Sequence, residues 1–272
     1  QDSPALQKTS RKKTSRQIIP SCPVPAGLQA TLRPYQVEGF QWLSFLYEQR
    51  LGGILADDMG LGKTVQALAL LAHAIEEHST AAPGEPFAPF LVVAPTSVIT
   101  NWAAEAERFL PEAKVVTITE TTAGKTPLAE RIAGAHLVLT SYTLLRMDED
   151  AYTGYARTLG RTVDEFAGEQ SAPEGWGALL LDEAQFVKNT GTRAWSIARA
   201  MPARTKIAMT GTPIENNLME LWALLAIVAD GLFPSARAFR DLYARPAESG
   251  EDPAHAAATA ARLRRRIRPL ML

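Results

Sequence analysis

Gly53-Ile54-Leu55-Ala56-Asp57-Asp58-Met59-Gly60-Leu61-Gly62-Lys63-Thr64 is the stretch whose reading decides the fold. A short apolar run ends in aspartates, glycines, a lysine and a threonine. Val65, Leu68, Leu71, Ala72 and Ile75 then recur at helical spacing. A strand, a glycine-rich turn and an amphipathic helix in that order can cradle a phosphate. Gly60 and Gly62 let the backbone N–H groups turn inward, and the helix behind them adds its dipole. Lys63 supplies a point charge for β/γ-phosphates and Thr64 a hydroxyl for Mg²⁺. Asp57 stands where the pattern G-x-x-x-x-G-K-[ST] has its first glycine, so the loop alone also reads as a plain strand-to-helix turn.

A phosphate site of this kind needs a second half, a strand ending in acid. Leu179-Leu180-Leu181-Asp182-Glu183-Ala184-Gln185 provides it. Asp182 at the strand end can hold Mg²⁺ directly or through water, and Glu183 can orient an attacking water. Acids also suit a helix amino terminus, which is the plainer account of this pair taken alone. Thr210-Gly211-Thr212-Pro213 follows another strand. Its hydroxyls stand either to bond Glu183 or Gln185, or simply to make a polar turn.

Outward from these motifs the chain alternates strand and helix. Pro34 opens a helix carrying Phe40, Leu43, Leu46 and Tyr47 at helical spacing. Residues 90–95 read as a strand, with Val98, Trp102 and Phe109 marking the next helix. Residues 115–119, 136–140, 178–182 and 206–210 read as further strands. Such alternation argues an α/β fold, a mainly parallel sheet flanked by helices. The polar motifs fall after Ala56, Ala94, Thr140, Leu181 and Met209, at the carboxyl ends of strands where such sheets bind ligands. Residues 148–176 lack clear periodicity and read as an inserted surface element, a solvent loop with room for a short helix. Trp102 lies on an apolar helical face and reads as core packing rather than a base-stacking platform.

The bulk numbers set bounds. The chain has 272 residues, 46% hydrophobic and 21% charged, an ordinary globular balance with a net charge of −1. Any nucleic-acid contact must therefore come from a local patch. The single cysteine, Cys22, excludes an internal disulfide and suits a reducing compartment. No apolar run reaches the ~18 residues of a membrane span, and the start does not read as a secretory leader. Residues 1–27 are polar, basic and proline-punctuated, and read as a linker or tail. The final stretch, Arg262 to Leu272, sets five arginines among leucines and an isoleucine, and its apolar end reads as having nothing to pack on, as in a cut through a longer chain.

Six stretches in order carry a resemblance: LRPYQVEGFQWL (32–43), DDMGLGKT (57–64), VVAPTSVITNW (92–102), LTSYTLL (139–145), LLLDEAQFVKN (179–189) and KIAMTGTPIENNLMELWAL (206–224). Together they resemble the first motor lobe of a Swi/Snf-type ATPase in helicase superfamily two, a family in which Asp57 is the usual residue. The resemblance implies a RecA-like lobe that binds ATP and Mg²⁺ and couples hydrolysis to movement on duplex DNA, remodelling bound proteins. It implies that Gln36 reads the adenine edge and that Asp58, Met59, Gly60, Leu61, Gly62, Lys63 and Thr64 hold the nucleotide. It further implies Thr64 and Asp182 toward Mg²⁺, and Lys63, Asp182 and Glu183 as the catalytic set. Pro95, Thr96, Ser97, Thr140 and Ser141 match the DNA-backbone motifs. Gln185, Thr210, Gly211 and Thr212 match the coupling motif.

The resemblance also divides the chain: residues 1–27 as the tail, 28–235 as the ATP-binding lobe, and 236–272 as a helical bridge toward a second lobe on the same polypeptide. The arginines that complete hydrolysis belong to that second lobe, so this lobe alone is expected to be weakly active. Gln185 in the last place of the DEAQ box, instead of a histidine, resembles bacterial members. That implies a cytoplasmic, nucleoid-associated protein acting on DNA or on DNA-bound complexes such as polymerase; a eukaryotic source would place it in the nucleus. A strand-separating helicase and a nucleotide-switched binding module remain open alternatives.

Overall fold

The computed structural model describes residues 21–57, 60–161, 175–211, 217–249 and 253–272. Six strands, β1 (Gly53–Leu55), β2 (Phe90–Ala94), β3 (Val115–Thr117), β4 (Leu137–Ser141), β5 (Ala178–Leu181) and β6 (Lys206–Met209), form one sheet in the order β1-β6-β5-β2-β4-β3. Every pairing is parallel. All carboxyl ends therefore emerge on one side, as the sequence predicts. Because β6 lies between β1 and β5, Thr210 is placed between the glycine loop and the acid pair.

The helices follow in chain order: α1 (Pro34–Glu48), α2 (Lys63–Ala81), α3 (Thr96–Phe109), α4 (Leu128–Arg131), α5 (Tyr142–Met147), α6 (Glu149–Arg161), α7 (Arg193–Ala200), α8 (Leu218–Val228), α9 (Ala236–Phe239), α10 (Arg245–Ser249) and α11 (Pro253–Ile267). A five-residue π-helical turn, Arg240–Ala244, joins α9 to α10.

Strand side chains alternate faces, and the core splits accordingly. Phe90, Val92 and Ala94 pack with α1, α2 and α3 on one face. Leu91 and Val93 pack with α5 to α8 and the end of α11 on the other. β2, β4 and β5 are buried on both faces, as parallel sheets require, which is why they read as unbroken apolar runs.

Two expectations are corrected. The first half of the 148–176 stretch is helix α6, which buries Tyr152 and Ala156 in the core. Tyr152 and Tyr155 sit against the ring of Trp176, at 6.3 and 5.0 Å between centroids. Periodicity was masked because its apolar face is built from tyrosines and alanines. The remainder, residues 162–174, lies outside the described residues.

The second correction concerns the chain's last residues, which do pack. Met271 bridges Ile54 in parallel, the Leu272 N–H donates to the Ile54 carbonyl at 3.1 Å, and the Ala56 N–H donates to the Leu272 carbonyl at 2.7 Å. Trp42 Nε1 of α1 donates to the Pro269 carbonyl at 3.0 Å. The exposed edge of β1 is thus covered by the chain itself, one of the usual ways an edge strand is protected.

Candidate nucleotide site

β1 delivers the chain into the glycine loop, and α2 begins at Lys63. Gly60 and Gly62 have φ of 83° and 79°, in the left-handed region that glycine enters without a Cβ penalty. At Gly62 a Cβ would also meet Gln36 Nε2 at 2.4 Å, so the loop needs glycine there for space as well. Gln36 is fixed at both ends of its amide: Oε1 accepts from the Arg33 N–H at 2.9 Å and Nε2 donates to the Leu61 carbonyl at 3.0 Å. The residue expected at the adenine edge therefore ties the start of α1 to the loop. Lys63 Nζ donates to the Asp57 carbonyl at 2.8 Å, folding the lysine back across the cradle. Thr64 follows in the first turn of α2. Asp58 and Met59 lie outside the described residues.

Asp182 ends β5 and is buried. Its Oδ2 accepts from Trp102 Nε1 at 2.8 Å and its Oδ1 from the Glu183 N–H at 2.9 Å. Its backbone carbonyl accepts from the Tyr142 hydroxyl at 2.8 Å. Burial pushes the Asp182 carboxyl up; the bonds from Trp102 and Glu183 N–H pull it back, the Glu183 carboxylate raises it, and Lys63 lowers it. A divalent cation at this carboxylate would relieve the same desolvation, and hard oxygen donors suit Mg²⁺. Sequence reasoning placed Trp102 in the core, and it is there. Its donor role was missed, although indole is the one apolar-face side chain in α3 that carries an N–H.

Tyr142 is the second residue missed. Burial, with Asp182 and Glu183 beyond it, drives its hydroxyl well above the usual range, so it stays a donor. Its ring stacks on Phe186 at 5.4 Å and 9° between planes, and Phe186 is 52% exposed.

Glu183 adopts φ 48°, one of two non-glycine residues with positive φ among those described. Such a conformation costs on the order of 1–3 kcal/mol and persists only where surroundings enforce it. It turns the side chain toward Gln185, whose Nε2 donates to Glu183 Oε2 at 2.8 Å. Gln185 Oε1 in turn accepts from Thr210 Oγ1 at 3.3 Å. The end of β6 is thus wired through one amide to the acid pair, the alternative the sequence left open for Thr210. Gly211 follows at the strand's exit, and Thr212 lies outside the described residues.

The DNA-motif residues separate into two groups. Pro95, Thr96 and Ser97 start α3 at the end of β2, with both hydroxyl residues exposed. Thr140 and Ser141 are buried. The Thr140 hydroxyl pairs with the Tyr152 hydroxyl at 2.7 Å, and Ser141 Oγ accepts from the Leu144 N–H at 3.1 Å, capping α5. These two hydroxyls are engaged inside the lobe: α6 covers one and the α5 cap uses the other.

The SNF2-related domain model matches residues 35–272. The chain belongs to the SNF2-related domain family. Its relatives include the "Chromatin-remodeling ATPase INO80" of Arabidopsis thaliana, 38% identical over 234 residues, covering 83% of this chain and 14% of that protein. The protein of the same name in Drosophila melanogaster is 34% identical over 247 residues, covering 88% of this chain and 14% of its own length. A solved structure, the Sulfolobus solfataricus SWI2/SNF2 ATPase core in complex with dsDNA, superposes with a TM-score of 0.71 at 30% identity, over 91% of this chain and 45% of that one. This SNF2-related domain therefore spans under half of each. The fold expected from the resemblance is the one seen, a RecA-like α/β lobe. The bacterial placement finds no support among these relatives. No helix among the described residues is long and apolar enough to cross a membrane.

Proposed function

We propose that this SNF2-related domain is the ATP-binding lobe of a DNA-dependent ATPase that moves along duplex DNA and remodels or displaces proteins bound there. The observation that carries the proposal is the hydrogen-bonded line Glu183–Gln185–Thr210 beside a lysine-bearing glycine loop. It gives one lobe both a hydrolytic centre and a wire out of it.

In this reading Lys63 leaves the Asp57 carbonyl for the β/γ-phosphates, and the N–H groups of Gly60 to Thr64 line the cradle. Thr64 and Asp182 hold the cation, with Trp102 keeping Asp182 oriented. ATP·Mg²⁺ supplies the transferable phosphoryl group and the cation that offsets its charge. Glu183 orients the attacking water and accepts its proton, and the Gln185 amide fixes the rotamer in which it can do so. A shift of Thr210 would change that rotamer, so the end of β6 is linked to nucleotide state. Thr96 and Ser97, with the helix amino terminus behind them, supply phosphate donors for DNA. Residues 236–272 lead toward a second lobe that completes the site. Gln36 senses the base through its tie to Leu61. The proteins displaced, polymerase among the candidates, and a nucleoid or nuclear location belong to the same proposal.

The test is steady-state ATP hydrolysis by the two-lobed polypeptide with and without duplex DNA. Duplex should stimulate turnover. Glu183→Gln should lower it by about 10²–10⁴-fold while nucleotide binding survives, and Lys63→Ala should weaken both. Unstimulated turnover, or a remodelling output intact in Glu183→Gln, would instead mark a nucleotide-switched binding module.

A further inference from the structure

On the face of the lobe away from the strand ends, Cys22, Glu48 and His73 converge from three segments. Cys22 lies in the stretch before α1, Glu48 ends α1, and His73 sits mid-way along α2. Cys22 Sγ is 3.6 Å from His73 Nδ1, and Glu48 Oε1 is 3.1 Å from His73 Nε2. One ligand atom from each residue can be chosen so that all lie within 4.8 Å of one another. The sulfur and the carboxylate are therefore neighbours themselves. The thiol and the carboxylate each meet a different nitrogen of the His73 ring, and a single ion would take one of those nitrogens.

We propose that Cys22, Glu48 and His73 form a binding site for a borderline-soft divalent cation, Zn²⁺ in the first instance, with a fourth position open to water. A thiolate, an imidazole and a carboxylate are the donor types zinc takes, at about 2.3, 2.0–2.1 and 2.0–2.2 Å. The 3.6 Å separation of Cys22 Sγ from His73 Nδ1 is already that of two ligands on one tetrahedral ion, and closure requires the exposed Glu48 carboxylate to leave Nε2 for that ion.

The segment that carries Cys22 is built onto the two helices. The stretch carrying Cys22 is held in place: Gln41 Nε2 donates to the Cys22 carbonyl at 3.1 Å, and the Gly27 N–H donates to Glu76 Oε1 at 2.8 Å. The Ser44 hydroxyl, buried on α1, sits against the Cys22 sulfur. Bound there, the ion clips the entry segment onto α1 and α2, the helix that carries the phosphate loop at its other end.

Cys22 is the only cysteine, so any sulfur-to-metal band reports this site. The test titrates Co²⁺ into the chelator-treated 272-residue chain and follows the near-ultraviolet charge-transfer and visible d–d bands. The expected result is saturation at one equivalent, displacement by Zn²⁺, and a Zn²⁺-dependent rise in melting temperature. Cys22→Ser should abolish the charge-transfer band. Glu48→Gln should weaken binding about 10–100-fold, and Lys63→Ala should leave it intact. Circular dichroism establishes that each variant is folded. No band at one equivalent, a band retained in Cys22→Ser, or an ion shared between two copies of the chain would overturn the proposal.

Discussion

Trp102 shows how much can hang on one side chain. Its ring fills the core while its N–H holds the buried Asp182 carboxylate. Trp102→Phe keeps most of the packing and removes the donor. A hydrogen bond to a charged group contributes about 1.5–3 kcal/mol, so the variant should lose roughly that much stability in denaturant titration. Its Mg²⁺ requirement for nucleotide binding should rise, because Asp182 is pushed further toward its neutral form. Unchanged stability and unchanged Mg²⁺ dependence would show that the bond is dispensable. At this scale the sequence is legible in chemistry but not in pairing. Lys63, Asp182 and Glu183 are readable because motif spacing encodes them. That Thr140 faces Tyr152, and that Tyr142 reaches the Asp182 backbone, depends on where α6 and α5 fold, which no local pattern carries.

At the scale of elements, β6 and α7 meet through a half-buried cation. Lys206 opens β6, and its ammonium donates to the carbonyls of Ala198 and Arg199 at the end of α7, the former at 3.2 Å. A cation suits a helix carboxyl end, yet desolvation lowers this lysine to about 8, with Asp230 acting upward and Arg199 downward. The folded-state value lies below the unfolded one, so at neutral pH folding carries the full cost of the buried charge. Above about 8 the folded chain releases the proton first, and stability rises until the unfolded chain also titrates near its ordinary 10.5. Thermal melts of Lys206→Met should exceed wild type at pH 7 and converge with it toward pH 10, a change on the order of 2–4 kcal/mol. A pH-independent gap would refute the account. The elements themselves were legible where apolar runs are short and unbroken. α6 was not, because Tyr152, Ala156 and Tyr155 make an apolar face from residues that also suit loops.

At the scale of the whole molecule, a chain of net charge −1 cannot draw DNA by its overall field. In the proposed function, contact falls to the strand-end surface bearing Thr96 and Ser97. The 272-residue lobe alone should bind duplex weakly. The logarithm of its affinity should fall with that of salt with a slope of about −0.9 per phosphate contacted, and a steep slope matching six or more contacts would contradict a surface so small. Two arginines of α11, Arg262 and Arg266, lie over the rings of Tyr243 and Phe233, at 5.5 and 4.7 Å, in the packing of the helical region.

The attachment of residues 271 and 272 to β1 also has a mechanical reading. The bonds between Leu272 and both Ile54 and Ala56 run in a parallel ladder, so tension along the chain at Leu272 loads them together in shear rather than unzipping them singly. One residue past Ala56 is Asp57, the anchor for Lys63. A pull transmitted through this splice therefore reaches the root of the glycine loop before any side chain in the nucleotide site, which makes the β1 edge a lever on the cradle.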